Sequence, residues 1–264
     1  DHTKLPFNSA AIIAKNKIVA NYQKIVLPNY GVFDEQRYFT PGSKSNLFVC
    51  QEARIGINIC EDIWDTSNTV ENQCSAGANI LININASPYE IGKIDKRESI
   101  AKQISKKFNV YMLYVNQIGG QDELVFDGSS FIIDKSGILS AKATSFAEKI
   151  LYFDIPVENL RNSITKKSRA TTKLKEIKLP SIKPRKNKKK LTPERPVHEP
   201  EIKQVYEALV LGTHDYVKKT GFSKSIIAIS GGIDSALTAS IAVDALDNNN
   251  VIGVAMPSRF SSIH

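Results

Sequence analysis

The sequence predicts an α/β protein built as two layered units joined by a basic linker, and three observations predict it. Up to about residue 158, short apolar runs bounded by turn residues alternate with stretches of helical periodicity. Residues 161–200 then carry 14 Lys/Arg against 3 Asp/Glu, with few large apolar side chains and prolines at 180, 184, 193 and 196. From residue 199 onward the order strand, helix, strand returns, which reads as a βαβ unit opening a parallel sheet.

The elements follow in chain order. Ala10–Ile13 and Ile18–Ile25 flank Lys15-Asn16-Lys17 and read as a hairpin, and 47–50 and 54–60 repeat the pattern across Gln51-Glu52-Ala53. Residues 66–76 read as a helix stopped by Gly77. Ile80–Ile84 suits a buried strand, Asp95–Phe108 an amphipathic helix with Ile100 and Ile104 four apart, and Val110–Val115 another strand. Phe131–Ile133 and Ile138–Ala141 form a hairpin across Asp134-Lys135-Ser136-Gly137, and Ile150–Phe153 closes the unit as a strand. After the linker, Ile202, Val205, Tyr206, Leu209 and Tyr216 share a helical face that ends at Gly221. Strand 225–230, a turn, a helix over 236–246 with Leu237, Ile241 and Ala245 inward, and strand 251–255 complete the pattern.

Composition excludes several classes. The 264 residues are 42% hydrophobic, ordinary for a globular chain. No apolar run reaches the roughly 18–20 residues of a membrane helix, and no signal segment stands before Asp1-His2-Thr3. Three cysteines, Cys50, Cys60 and Cys74, show no C-x-x-C spacing, so a reducing, cytoplasmic setting fits best. The net charge of +8 belongs to the linker, since the rest of the chain is net −3. No nucleic-acid-binding fold is expected; an RNA- or membrane-binding arm stays open for the linker alone, against a plain solvated connector. The absent initiator Met and the end at His264, short of a complete doubly wound sheet, predict a fragment.

Cys60 closes the apolar strand 55–59 and leads into Glu61-Asp62. A cysteine at a strand's carboxyl end can stand at the rim of a sheet as a nucleophile. The adjoining carboxylates raise its thiol pKa, so reactivity demands a nearby cation, and Lys24, at the end of the second strand, is the candidate. The competing reading makes Cys60 a small buried hydrophobe.

These residues carry a resemblance. Tyr22-Gln23-Lys24-Ile25-Val26-Leu27-Pro28-Asn29-Tyr30, then Phe33–Phe39 and Pro41-Gly42, then Ile57-Asn58-Ile59-Cys60-Glu61-Asp62-Ile63-Trp64 resemble the nitrilase (carbon–nitrogen hydrolase) family over about 5–158. The resemblance implies an αββα sandwich with a Glu–Lys–Cys set. Cys60 would be the nucleophile on a glutamine amide, Lys24 the cation for the oxyanion, and Glu35 and Glu61 members of the surrounding shell. The family's general-base glutamate precedes the lysine, and residues 1–23 hold no Glu, so the N-terminal part of such a domain is expected to be missing. Ser87 and Lys93, in Ala86–Lys93, together with Tyr30, match residues that bind the glutamine head. Ordinary turn chemistry for Ser87-Pro88 and a solvated helix-entry lysine remain alternatives.

Ala228-Ile229-Ser230-Gly231-Gly232-Ile233-Asp234-Ser235 lies between a strand and a helix. Glycines there let backbone N–H groups approach a ligand, and the helix directs its positive end to the same place. Asp234 suits a phosphate site only through Mg²⁺. A capped βα turn is the plain alternative. The segment resembles the PP-loop of ATP pyrophosphatases, over about 200–264, and no Walker Gly-Lys-Ser/Thr follows. Ser258-Arg259 would approach the same nucleotide.

The two motifs in this order resemble the glutamine-dependent NAD synthetases. The resemblance implies ATP-driven amidation of nicotinic acid adenine dinucleotide with ammonia from glutamine, Mg²⁺ with the ATP, and a homo-oligomer at full length, with neither nucleic acid nor membrane as partner. A stand-alone amidase with an appended domain and an inactive fragment remain as alternatives. A GMP-synthetase-like enzyme would carry Gly-x-Cys-x-Gly, which is absent.

Overall fold

The computed structural model describes residues 5–64, 68–161, 174–181 and 198–257. The first hairpin is β1 (Ser9–Ala14) and β2 (Lys17–Gln23), turning through Lys15 and Asn16, both at positive φ. A one-turn helix α1 (Glu35–Tyr38) precedes β3 (Asn46–Cys50) and β4 (Ala53–Ile59). Then come a 3₁₀ turn at Cys60–Ile63, α2 (Thr69–Ser75), β5 (Ile80–Asn85), α3 (Lys93–Phe108) and β6 (Tyr111–Asn116). A short hairpin β7 (Ile118–Gln121) and β8 (Leu124–Asp127) follows, and after it β9 (Phe131–Ile133), β10 (Leu139–Lys142), α4 (Val157–Arg161) and β11 (Lys175–Lys178). The second unit comprises α5 (Glu201–Lys219), β12 (Ser225–Ile229), α6 (Ile233–Leu246) and β13 (Val251–Ala255).

One sheet of seven strands, ordered β10-β9-β6-β5-β4-β3-β11, organises the first unit. Its centre, β4-β5-β6, is parallel, with Ile55, Ile57 and Ile59 opposite Ile80, Ile82 and Ile84. Strands that alternate between two buried faces need cover on both sides. α2 and α3 cover one side, where Leu47, Leu81, Met112, Tyr114 and Ile133 meet Val70 and Ala101. On the other, the β1–β2 hairpin brings Tyr22, Ala10 and Ile12 onto Ile57 and Ile59, and Phe153, Ile155 and Leu160 cover Ile80 and Tyr111. α2 and α3 thus lie on one face of the sheet, and the β1–β2 hairpin, the segment through Phe153 and Ile155, and α4 lie on the other.

The parallel order places the carboxyl ends of β4, β5 and β6 along one edge. Cys60 follows β4, Ser87 lies just past β5, and Asn116 ends β6. In the second unit, β12 and β13 pair in parallel around α6, as the βαβ pattern predicts.

Several expectations need correction. Ile150–Phe153 is not a strand: Phe153 packs as extended chain on the apolar face below it, with no ladder partner. The segment read wholly as linker contributes β11, which pairs in parallel with β3, and Leu174 packs on the core. Ile177 is half-buried among lysines, and Leu179 N donates to Val49 O at 2.8 Å. Backbone pairing at an open sheet edge, with two apolar anchors, outweighs the polar composition here. The rest of that segment, 162–173 and 182–197, lies outside the described residues, as do Ser258 and Arg259.

On α5 the apolar residues that share a helical face are not the buried ones. Ile202, Leu209 and Tyr216 are exposed, while Ala208 is buried. α5 docks on β7–β8 through small and polar groups. Gly120 N donates to Asp215 Oδ2 at 2.7 Å, and Lys219 Nζ donates to Gly120 O. A Cβ at Gly120 would meet Gly212 Cα at 3.2 Å, so glycine on the hairpin sets how closely the helix approaches. Leu237, expected inward on α6, is likewise exposed, and Ala242, Ala245 and Leu246 are the buried residues.

Candidate active site

Lys24 follows the last residue of β2 and is 1% exposed. Its Nζ donates to Glu35 Oε1 at 2.6 Å, and Glu35 is held by its backbone N–H on Pro28 O at 3.1 Å. Asn8 Nδ2 approaches the other Glu35 oxygen at 3.5 Å. Lys24 and Glu35 thus form a part-buried ion pair at the end of β2.

Cys60 is 8% exposed and has φ of 44°. A non-glycine residue in this region costs on the order of 1–3 kcal/mol and persists where its surroundings over-determine it. Here the chain leaves β4 and turns at once into the 3₁₀ turn, so the thiol stands at the sheet edge. Asn83 Nδ2 donates to Cys60 O at 3.4 Å from β5. Burial pushes the thiol up to about 11; Lys24 pulls it down, and Glu61 and Glu35 push it up. A cation therefore does act on this thiol, and burial outweighs it. Glu61 accepts from Tyr30 Oη at 2.8 Å, which draws Tyr30 to the same rim.

Ser87 lies on the far side of this rim, fixed by Arg97. Arg97 Nε donates to Ser87 Oγ at 3.2 Å, and Nη2 donates to Ser87 O at 2.8 Å and Pro88 O at 2.7 Å. Nη1 donates to both carboxylate oxygens of Asp127, at 2.7 and 2.9 Å, and both side chains are at most 1% exposed. Arg97 also lowers the Cys60 thiol. Lys93 pairs with Glu90 at 3.2 Å and stands 6.0 Å over the ring of Trp64, which caps the Cys60 turn.

Arg97→Leu should destabilise the protein by about 3–5 kcal/mol, because Asp127 would stay buried without its cation. Urea unfolding checks this, and a loss under about 1 kcal/mol would contradict the buried pairing.

Tyr30, Ser87, Lys93, Lys24, Glu35, Cys60 and Glu61 thus gather along one edge of one sheet. Sequence reasoning missed Arg97, Asp127 and Asp62. Arg97 was within reach: it lies four residues after Lys93, on the same helical face. Asp127 ends a hairpin that the sequence reading did not identify.

The segment Ser230–Ser235 lies in the second unit, between β12 and α6. Gly231 has φ of 84°, which requires glycine, whereas Gly232 is extended at −86°. Ser235 Oγ donates to Gly232 O at 2.9 Å, Gly232 N lies 3.3 Å from Ser230 Oγ, and the two serine hydroxyls are 3.1 Å apart. The loop is exposed, and Asp234 stands in the first turn of α6. Ala228 and Ile229 carry β12 into the loop, and Ile233 opens the helix, 80% exposed. Such an arrangement offers backbone N–H groups, hydroxyls and a helix N-terminus to an anion.

The carbon–nitrogen hydrolase model matches residues 1–164. The chain belongs to the carbon–nitrogen hydrolase family. The NAD synthase model matches residues 205–264 beyond that domain. A glutamine-dependent NAD(+) synthetase of Acinetobacter baylyi is 39% identical over 256 residues, 97% of this chain and 42% of that protein. The solved structure of such a synthetase from Acinetobacter baumannii, bound to adenosine diphosphate, superposes with a TM-score of 0.77 at 34% identity, covering 97% of this chain and 43% of that one. A carbon–nitrogen hydrolase of Helicobacter pylori matches with a TM-score of 0.53 at 27% identity, over 60% of this chain and 59% of its own. The chain spans less than half the length of the synthetases it matches. The Cys60 cluster falls within the carbon–nitrogen hydrolase match, and the Ser230–Ser235 loop within the NAD synthase match. Among the described residues no helix is long and apolar enough to cross a membrane.

Proposed function

We propose that this chain carries the glutamine-hydrolysing centre and the nucleotide loop of a glutamine-dependent NAD(+) synthetase. One observation carries the reading: a strand-end cysteine beside a buried, carboxylate-held lysine stands in the same chain as a strand–Ser-Gly-Gly-Ile-Asp-Ser–helix loop. Each is suited to one half of the reaction.

At the first centre Cys60 Sγ attacks the side-chain amide carbon of glutamine. Lys24, oriented by Glu35, stabilises the thiolate and then the oxyanion, a donor already fixed before charge develops. The C–N bond breaks, the proton given up by the Cys60 thiol goes onto the departing nitrogen so that it leaves as ammonia, and water then cleaves the thioester to give glutamate and return the thiol. Tyr30, Ser87 and Lys93 bind the glutamine head: the lysine pairs its carboxylate, and Arg97 holds Ser87 in place. At the second centre Ser230, Gly231, Gly232 and Ser235 receive the phosphates of ATP. The carboxylate of nicotinic acid adenine dinucleotide attacks the α-phosphorus, pyrophosphate leaves, and ammonia displaces AMP to give the carboxamide.

Mg²⁺ fits this loop as an ion brought with the nucleotide. It takes one or two carboxylates and completes its shell with phosphate oxygens and water. Asp234 supplies one carboxylate, and among the described residues no cluster of three or more ligating side chains forms a resident cage. When bound, Mg²⁺ would neutralise charge on the departing pyrophosphate. A homo-oligomer at full length and a cytoplasmic setting belong to the same proposal.

Product analysis tests it. The full-length protein, given glutamine, ATP, Mg²⁺ and nicotinic acid adenine dinucleotide, should form NAD, AMP and pyrophosphate in equal amounts, with at least as much glutamate. Glutamate without pyrophosphate would leave only an amidase.

A further inference from the structure

We infer that Asp62 is a positioning residue that sets Lys24 against Cys60. The inference rests on the proposed glutamine-hydrolysing role of that pair. Asp62 is 1% exposed. Its Oδ1 accepts from Ile25 N at 3.1 Å and Val26 N at 2.9 Å, and its Oδ2 accepts from Ile59 N at 2.9 Å and Tyr22 Oη at 2.7 Å. Two oxygens with four donors fill the acceptor capacity of a carboxylate.

The chain positions of those donors are the point. Ile25 follows Lys24 directly, and Ile59 directly precedes Cys60. Tyr22 lies two residues before Lys24 on the same strand. One carboxylate therefore joins the strand end that carries the cation to the turn that carries the nucleophile, across about 35 residues of chain. It also holds Ile59, the last residue of β4 before the turn, next to Cys60 at φ 44°, a backbone state that needs such constraint. Neither Lys24 nor Cys60 bonds directly to Asp62 among the described contacts, so it acts through backbone position.

An asparagine has only one acceptor oxygen. In Asp62→Asn the best arrangement keeps that oxygen toward Ile25 and Val26, where two N–H groups need it. The amide nitrogen then faces Tyr22, whose hydroxyl can turn to accept, and Ile59, whose N–H cannot. The Cys60 side of the joint loosens and the Lys24 side stays.

The test is Asp62→Asn in the full-length protein. Misplacing a reacting group by about 1 Å costs on the order of a hundredfold. We therefore expect kcat for glutamine hydrolysis to fall about that far, with KM for glutamine within about threefold of the parent and ammonium-dependent synthesis retained. A parent-like kcat, or a fall in ammonium-dependent synthesis and thermal stability as large as the fall in hydrolysis, would overturn the inference.

A second readout needs no glutaminase activity, so it separates this inference from the functional reading. Iodoacetamide labelling of Cys60, followed on its own peptide at pH 9, should slow in Asp62→Asn as Lys24 loses its hold on the thiolate. Mere removal of a nearby negative charge would speed it, and labelling at or above the parent rate would overturn the positioning role. If Asp62→Asn does not fold, Tyr22→Phe removes one of the four bonds. It should lower kcat about tenfold at unchanged KM, the low end of the scale of one charge-assisted hydrogen bond, and an unchanged kcat would overturn the inference.

Discussion

Cys60→Ala in the full-length protein should abolish glutamine-dependent NAD formation while ammonium-dependent formation stays within about twofold of the parent. Loss of a covalent nucleophile costs on the order of 10⁴-fold or more, since no neighbouring group can form the acyl intermediate. The second unit keeps its nucleotide loop, which has no contact with the Cys60 thiol among the described residues. The substitution itself is mild. Cys60 is a small buried side chain, and alanine relieves none of the ties at Asp62 or Asn83. Lys24→Met should produce the same split, because Glu35 would lose its partner and the oxyanion its cation. Equal loss of glutamine- and ammonium-dependent synthesis in Cys60→Ala would contradict the assignment of separate centres.

The nucleotide loop should respond in the opposite way. Gly231→Val forces a branched side chain into φ of 84°, a conformation that costs about 1–2 kcal/mol for a residue with a Cβ. The loop would give up its shape to escape that strain. Gly232→Val acts differently: its backbone is extended, and a Cβ there would meet only Ser230 Oγ, at 3.5 Å. It should fold normally yet fill the space before the N–H groups. Asp234→Asn keeps the loop and removes a charge. All three should abolish pyrophosphate release with nicotinic acid adenine dinucleotide present. The two glycine variants should weaken ATP binding, and Asp234→Asn should mainly raise the Mg²⁺ concentration needed. Glutamate production at Cys60 should survive in each. Pyrophosphate release at the parent rate in all three would make Ser230–Ser235 a structural turn.

The first hairpin was legible because its turn chemistry is local. Lys15-Asn16 separates two apolar runs, and both residues take the positive φ that a tight turn needs. The buried central strands were legible from apolar runs flanked by helical periodicity. The demand for a counter-charge beside a strand-end thiol pointed to Lys24, whose charge does pull the Cys60 thiol down, while burial keeps it raised. β7–β8 was not, since its strands are four residues each and two glycines interrupt the pattern. β11 was hidden because its pairing is backbone to backbone, and a lysine-rich strand at a sheet edge looks like linker. The docking of α5 was misread for a related reason. Apolar periodicity names the hydrophobic face of a helix, but Gly212, Asp215 and Lys219 make this contact through close approach and hydrogen bonds. Asp62 was named as a neighbour of Cys60, yet its role depends on partners 36 to 40 residues away, which no local pattern encodes.

The most direct measurement follows the nitrogen. Glutamine labelled with ¹⁵N at its side-chain amide is supplied to the full-length protein with ATP, Mg²⁺ and nicotinic acid adenine dinucleotide, and the NAD is analysed by mass spectrometry. With both centres on one protein, the label should enter the carboxamide of NAD, and Cys60→Ala should abolish its entry while unlabelled ammonium still supports synthesis. Glutamate formed with no label in NAD, or label entering NAD in the Cys60→Ala protein, would contradict the joining of these two chemistries.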